Sequence, residues 1–339
     1  MESVSIFCMI LCTLICIQQI RRTTSIGVCY GTEGTNLPSP TEVVAQYKKC
    51  NYQKMRIFKP DAQIQEALRG QGINVAIGTL DDDLPTLANN PAAATTWVST
   101  NIVPYMNNTL YEYLVVGNEV VPGSLGKYVA PAMLNLYKAI KPIGALSQLK
   151  ITTTVPMSAL GISFPPSASN FADAAMSDMT AIIQALNNMQ NGDSILMVNA
   201  YPYFAYASDT SHISKEYANT KSSAPGVVDG NLEYHSLIHA MLDAFYAALE
   251  KNGGSSLGVV VGETGWPSGG NGEITTPYLS AMYNSFCRYY ILGSGTPMRP
   301  NKKLDGFVFE MFNENEKPGG VEQNFGLYQA NMTPVYAFC

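Results

Sequence analysis

Short apolar runs alternate along this chain with longer stretches whose apolar residues recur every three to four positions. The plainest run is Leu257–Ser268, LGVVVGETGWPS, which opens on apolar residues and Gly. Such a run reads as a strand buried on both faces, as in a parallel sheet. It ends at one carboxylate, Glu263, with Trp266 just beyond. Tyr113–Gly123, YLVVGNEVVPG, does the same with Glu119. The pattern predicts strands at Ile26–Gly31, Lys54–Phe58, Asn74–Leu80, Tyr113–Asn118, Lys150–Val155, Ile195–Tyr201, Gly258–Gly262 and Gly306–Met311. Helical periodicity falls between them, at Thr41–Lys49, Ala62–Gly70, Ala92–Met106, Lys127–Ile140, Ala172–Asn188, Asn231–Lys251 and Thr276–Leu292. Ser39-Pro40-Thr41-Glu42 supplies a helix start, and Gly70 and Gly72 a stop. Strand–helix alternation repeated eight times predicts an α/β fold, a single (β/α)8 TIM barrel. The alternative, an open doubly wound sheet, is disfavoured. No Gly-rich phosphate loop follows the first strand, and acids stand at the ends of several strands. Ala205–Asp229 is polar and too long for a plain connection, so it predicts a small, irregular insertion after strand six, on the top of the barrel.

The 339 residues fit one barrel, and 46% of them are apolar, which excludes disorder. The division expected is a signal peptide over residues 1–25 and a catalytic domain over 26–339. Val4–Ile17 is apolar but short for a membrane span, and it suits a signal-peptide core. The n-region, Met1-Glu2-Ser3, lacks the usual positive charge, so an uncleaved signal anchor is the competing reading. Cleavage near Thr24–Ser25 would send the chain out of the cell. A net charge of −6 argues against nucleic acid, and no Lys/Arg run suggests a membrane partner. The closing residues PVYAFC match neither a GPI tail nor a prenylation box. A monomer is expected. Of seven cysteines, Cys8, Cys12 and Cys16 fall in the leader. Cys29, Cys50, Cys287 and Cys339 remain, allowing two disulfides in three connectivities, or a buried free thiol at Cys29. Asn107 and Asn331 each head a glycosylation sequon.

Active sites in such barrels sit at the carboxyl ends of the strands. There the sequence puts Tyr30; Lys59 and Asp61 after Arg56; Asn118 and Glu119; Tyr201, Tyr203 and Phe204; Glu263 and Trp266; then Phe312, Asn313, Glu314, Lys317 and Glu322. Carboxylates among aromatics outline a carbohydrate site. Rings stack on the C–H faces of sugars, and paired acids cut glycosidic bonds. One acid must hold its proton and the other must stay ionised. Plainer roles compete. The two glutamates could cap helices, Trp266 could only pack, and Glu314 with Lys317 could be a solvated pair. Glu310, in mid-strand, reads as a buried, paired group. His235 and His239 have zinc-ligand spacing, but no HExxH motif or third ligand accompanies them, so they read as surface or edge residues. No metal and no organic cofactor is implied. Gly269-Gly270-Asn271-Gly272 lacks the Lys-Ser/Thr of a phosphate cradle.

IGVCYG at Ile26–Gly31, NLPSP at Asn36–Pro40, VVGNEVVPG, VNAYPYF, ETGWPSGG and FEMFNENEKPGGVEQNFGLY together resemble the plant family 17 glycoside hydrolases, the endo-β-1,3-glucanases and their 1,3-1,4-glucanase relatives. The resemblance runs from Ile26 to Phe338. It implies a β-glucan substrate, with Glu119 as general acid/base and Glu263 as nucleophile. It further implies that Asn118 holds the sugar 2-hydroxyl and that Tyr30, Tyr201 and Phe204 line the cleft. Glu314, Lys317 and Glu322 would form a charged cluster that tunes the acid and binds substrate. Two positions depart from the family pattern: Gly262 stands where Ser is usual, and Phe58-Lys59-Pro60-Asp61 where Tyr-Asp or Tyr-Asn is common. The implied function is a secreted, retaining endo-hydrolase of β-1,3-glucan such as callose, laminarin or fungal-wall glucan. The alternatives are a 1,3-1,4-β-glucanase (lichenase) and a glucan-binding wall protein with little turnover.

Overall fold

A computed structural model describes residues 26–189 and 194–339. Residues 1–25, read above as a signal peptide, lie outside the described residues. Eight strands among those described close into one parallel barrel. They are β1 (Gly27–Tyr30), β2 (Lys54–Ile57), β3 (Asn74–Gly78), β4 (Leu110–Asn118), β5 (Lys150–Pro156), β6 (Ile195–Asn199), β7 (Gly258–Thr264) and β8 (Gly306–Val308). Each pairs with its neighbour in sequence, and β8 returns to β1. All seven residues of β7 are buried, as the unbroken apolar run required.

Helices wrap the outside. Chief among them are α1 (Pro40–Lys49), α2 (Ala62–Leu68), α3 (Leu84–Asn89), α4 (Pro91–Asn101), α5 (Gly126–Ile140) and α6 (Asp173–Met189). The start of α1 follows the rule read from sequence. Ser39 accepts from the Glu42 amide, and the Glu42 carboxylate accepts from the Ser39 amide at 2.9 Å, with Pro40 in the first turn. The segment after β6 is more ordered than its polar composition predicted. It forms α7 (Pro202–Ser208), α8 (Lys215–Asn219) and a hairpin, Val227–Asp229 with Leu232–Tyr234. The next helix, α9, therefore begins at Leu237, six residues later than its periodicity implied, and runs to Lys251. Buried Tyr217 and Tyr234 give this excursion a small core of its own. α10 (Pro277–Phe286) completes the ring and passes into a π-turn at Cys287–Ile291.

Polar pairing closes the amino-terminal end of the barrel. Lys54 Nζ lies 2.9 Å from Glu112 and 2.5 Å from Asp305, and Tyr113 donates to Asp305 at 2.8 Å. A buried ammonium survives only with such partners. Cys50, just past α1, is bonded to Cys339, while Cys29 and Cys287 are buried free thiols. Both sequon asparagines, Asn107 and Asn331, are exposed. Among the described residues no helix is long and apolar enough to cross a membrane.

The Cys50–Cys339 bond spans 289 positions, so in the chain-entropy account it constrains the unfolded state strongly. Replacing Cys339 with Ser is expected to remove about 2–5 kcal/mol of stability. Urea unfolding of the variant, beside wild type with and without reductant, measures this. Equal midpoints for all three would show the bond to be inert.

Candidate active site

Both strand-end glutamates owe their aim to irregular strands. In β4 the pairing with β5 shifts register between Val115 and Asn118, and in β7 the pairing with β6 shifts between Val261 and Glu263. A bulge turns the following side chain away from where a regular pleat would send it. Glu119 also takes φ +60°, just after Gly117 at +81°. For a residue with a Cβ this left-handed backbone costs about 1–2 kcal/mol, so surrounding bonds must hold it. One of them is the Glu119 amide, which donates to the Thr154 carbonyl at 2.9 Å.

Arg56 occupies the centre of the site. It points into the barrel from β2 and is 1% exposed. Its Nη1 donates to Glu263 Oε1 at 2.9 Å, and its Nη2 to Asn118 Oδ1 at 2.7 Å and Thr154 Oγ1 at 3.2 Å. Its guanidinium also lies over the Phe58 ring, 4.8 Å from the centroid. The other Glu263 oxygen accepts from Tyr201 Oη at 2.7 Å. Asn199, at the end of β6, joins the two acids. Its Nδ2 donates to Glu119 Oε1 at 2.7 Å, and its Oδ1 lies 3.4 Å from Arg56 Nη1. Gly262 fits against this network. A Cβ there would stand 2.7 Å from Asn199 Oδ1 and 3.0 Å from Arg56 Nη1, so the bare backbone lets the ring of bonds close.

The two glutamates sit in unlike settings. Burial raises the Glu119 pKa first, and the nearby Glu263 charge raises it further, against the Asn199 hydrogen bond and Arg56. Glu263 instead receives two donors, one of them a full cation.

A cleft passes over them. One hollow of about 550 Å³ is lined by Tyr30, Asn118, Glu263, Phe309, Glu314 and Lys317, among others. A second, of about 560 Å³, is lined by Glu119, Tyr201, Phe204, Glu263, Phe309 and Glu322, among others. Glu263 and Phe309 belong to both, so they mark the waist of one groove. The nine residues to which the family resemblance gives a role all line one or other of these hollows. Rings line both hollows, Tyr30, Phe58 and Phe309 the first and Tyr201, Phe204, Phe309 and Phe325 the second. Tyr201 meets Phe204, Phe309 and Phe325 with ring centroids 5.5, 6.0 and 5.6 Å apart.

Several sequence readings are refined. Glu314 and Lys317 are not a solvated surface pair. Glu314 is 1% exposed and Glu310 fully buried, and Lys317 Nζ lies 2.9 Å from the first and 2.6 Å from the second. Burial drives the Glu310 pKa well up in spite of Lys317. Glu310 is the buried, paired acid expected. Trp266 is wholly buried, with its indole N–H on the Ile274 carbonyl at 2.8 Å, so it packs and does not face the cleft. His235 and His239 are half-buried, as edge residues are. Their Nδ1 atoms lie 3.0 Å from the Ser222 carbonyl and from Ser236 Oγ, and burial takes the His239 pKa down to about 4. No group of three or more His, Cys, Asp or Glu among the described residues is arranged to hold a metal. Arg56 and Asn199 were the residues missed as actors. The available signal was a cation inside the buried strand KMRI and an amide inside VNAY.

The chain matches the profile of the glycosyl hydrolases family 17 over residues 26–338. It is 42% identical over 312 residues to Lichenase-2 of Hordeum vulgare, covering 92% of this chain and 97% of that one. It is 40% identical over 317 residues to a glucan endo-1,3-beta-glucosidase of Vitis vinifera, covering 92% and 90%. A solved structure from a pair of plant beta-glucan endohydrolases with distinct substrate specificities superposes with a TM-score of 0.88 at 41% identity, covering 92% of this chain and 99% of that one. With the barrel, the strand-end acids and a match spanning every strand, the chain belongs to the glycosyl hydrolases family 17.

Proposed function

We propose that this protein is a secreted endo-hydrolase of 1,3-β-glucosidic bonds in β-glucan, acting with retention of configuration. One observation carries the proposal: Glu119 and Glu263 meet one hydrogen-bonded network at the waist of a cleft that extends to both sides of them. A hollow on each side lets a polysaccharide lie across the acids and be cut within its length. Glu119, its pKa raised, protonates the departing glycosidic oxygen while Glu263 attacks the anomeric carbon. The C–O bond to the leaving chain breaks and a glycosyl–Glu263 ester forms. Glu119, now a carboxylate, takes a proton from water. The water oxygen attacks the same carbon and releases Glu263. Arg56 and Tyr201 hold Glu263 in place for the attack. Tyr30, Tyr201 and Phe204 offer ring surface to the sugars, and Asn118, Glu314, Lys317 and Glu322 offer polar contacts. The disulfide and the apolar leader support an oxidising, extracellular destination.

A second reading keeps the mechanism and changes the substrate. Lichenase-2 is as similar to this chain as the glucan endo-1,3-beta-glucosidase is, which keeps mixed 1,3-1,4-glucan in view.

Reducing-sugar release from laminarin and from barley mixed-linkage glucan separates the two substrates; the expected order is laminarin first. Glu263→Gln is expected to lose at least about 10⁴-fold in kcat on the preferred glucan while its circular dichroism stays native, on the scale seen when a reacting group is removed. A variant within tenfold of wild type would end the assignment. The same substitution removes a negative charge that raises the Glu119 pKa, so Glu119 is expected to titrate at lower pH in Glu263→Gln than in wild type. Infrared difference titration reads this directly, and an unmoved midpoint would show that the two carboxyls do not sense each other.

A further inference from the structure

We infer that Asp81 is a positioning residue for Glu119: it anchors the left-handed turn that carries the acid/base by accepting the Asn118 amide. The inference rests on the acid/base reading of Glu119 just given. At the carboxyl end of β4 the bulge takes the backbone out of register with β5. The amides there need other acceptors, since an unmet buried N–H is costly. Side chains of the loop after β3 supply them. Thr79 Oγ1 takes the Gly117 amide at 3.2 Å, and Asp81 Oδ1 takes the Asn118 amide at 2.9 Å. The loop is itself tied to β4, because the Thr79 amide donates to the Val115 carbonyl at 2.9 Å. On the opposite flank, β5 holds the same turn through Thr153 Oγ1 on the Gly117 carbonyl at 3.2 Å and the Thr154 carbonyl on the Glu119 amide.

Three successive amides, at 117, 118 and 119, are thus met one by one, two from the loop after β3 and one from β5. The middle clasp is a carboxyl oxygen, and at 2.9 Å its bond is shorter than the 3.2 Å bond to Thr79. Without it the Asn118–Glu119 peptide is free to relax from φ +60° toward ordinary extended backbone. That motion would swing the Glu119 carboxyl away from Asn199 and from the reacting oxygen. A displacement of about 1 Å at a reacting group is enough to cost some 10²-fold in rate. The groups that face Glu119 are Glu263, Arg56, Glu322 and the Asn199 amide. Asp81, which also lines the first hollow, is tied to Glu119 through the backbone amide that it accepts.

Two variants test this. Asp81→Asn keeps an oxygen acceptor at the same place, and Asp81→Ala removes it. Asp81→Ala is expected to lose about 10- to 100-fold in kcat with KM within about threefold of wild type, and Asp81→Asn to stay within about threefold in both. Thermal melting checks that each variant is folded. The Glu119 titration midpoint, read by infrared difference, is expected to fall in Asp81→Ala as the carboxyl leaves its buried setting, and to stay put in Asp81→Asn. The titration does not depend on turnover. A shifted midpoint in a protein that cleaves no glucan would therefore overturn the functional reading and leave the clasp standing. A wild-type midpoint and kcat in Asp81→Ala would overturn the clasp. Equal damage in both variants would overturn it too, because then charge and not the accepted amide would be what matters.

Discussion

A guanidinium inside a β-barrel is the constraint around which this active site is built. Arg56 is nearly sealed from water, and an unpaired cation there would be untenable. Its demand for acceptors recruits the ends of β4, β5, β6 and β7 at once, through Asn118, Thr154, Asn199 and Glu263. Four strands that pack only through Val, Ile and Leu could slide against one another with small penalties. Four strands that each present one oxygen to a single planar fork cannot. The buried ion pair is weak evidence for stability, since its desolvation offsets much of its attraction. What it secures is registry between the strands that carry the acids.

That registry explains why the strands must be irregular where they are. A parallel ladder places side chains alternately in and out. The barrel interior has room at this level for the Arg56 fork and small partners, and Gly262 leaves no Cβ in the way. Glu263 follows directly after Gly262 and still reaches the cleft, because β7 shifts register there. Glu119 needs more, a left-handed residue set on a bulge. Strain of this kind persists only where neighbours over-determine it. The hydroxyls, carbonyl and carboxylate around residues 117–119 are that over-determination.

The sequence carried the barrel almost whole, because its signal is local. Buried parallel strands are continuous apolar runs, and β1 to β8 fall within a few residues of the predicted spans. The two acids were legible for the same reason: each interrupts such a run at its end. What escaped was non-local or depended on solvent exposure. Arg56 looks like any cation beside a cleft until β2 is wrapped against β7, more than two hundred positions away. Asn199 reads as the polar end of a strand, and only closure of the barrel puts its amide between two glutamates. Glu314 and Lys317 at i,i+3 spacing suggest a solvated pair, and burial beneath the cleft wall with Glu310 reverses that. The insertion after β6 was legible from its length and polarity, but its internal order was not, because buried Tyr217 and Tyr234 form a small cluster beside a hairpin that composition does not announce.

The groove above the acids has two halves, and the segment after β8 contributes to both. In one half, rings from Tyr201 and Phe204 after β6 and from Phe309 and Phe325 after β8 stand edge to face or tilted, with neighbouring centroids about 6 Å apart. Such rings brace each other and present apolar area that costs little to desolvate. In the other half, Tyr30 from β1 and Asn118 from β4 are joined by Glu314 and Lys317 from the segment after β8, which add charged and polar groups to the wall. A sugar chain lying across the waist would be held by stacking on one side and by hydrogen bonds on the other. Stacking tolerates sliding along a chain, because every pyranose offers a C–H face. Hydrogen bonds to fixed hydroxyls do not. On the function proposed above, the polar groups would set the register of the scissile bond over Glu263, and the rings would supply grip that yields when one product must leave.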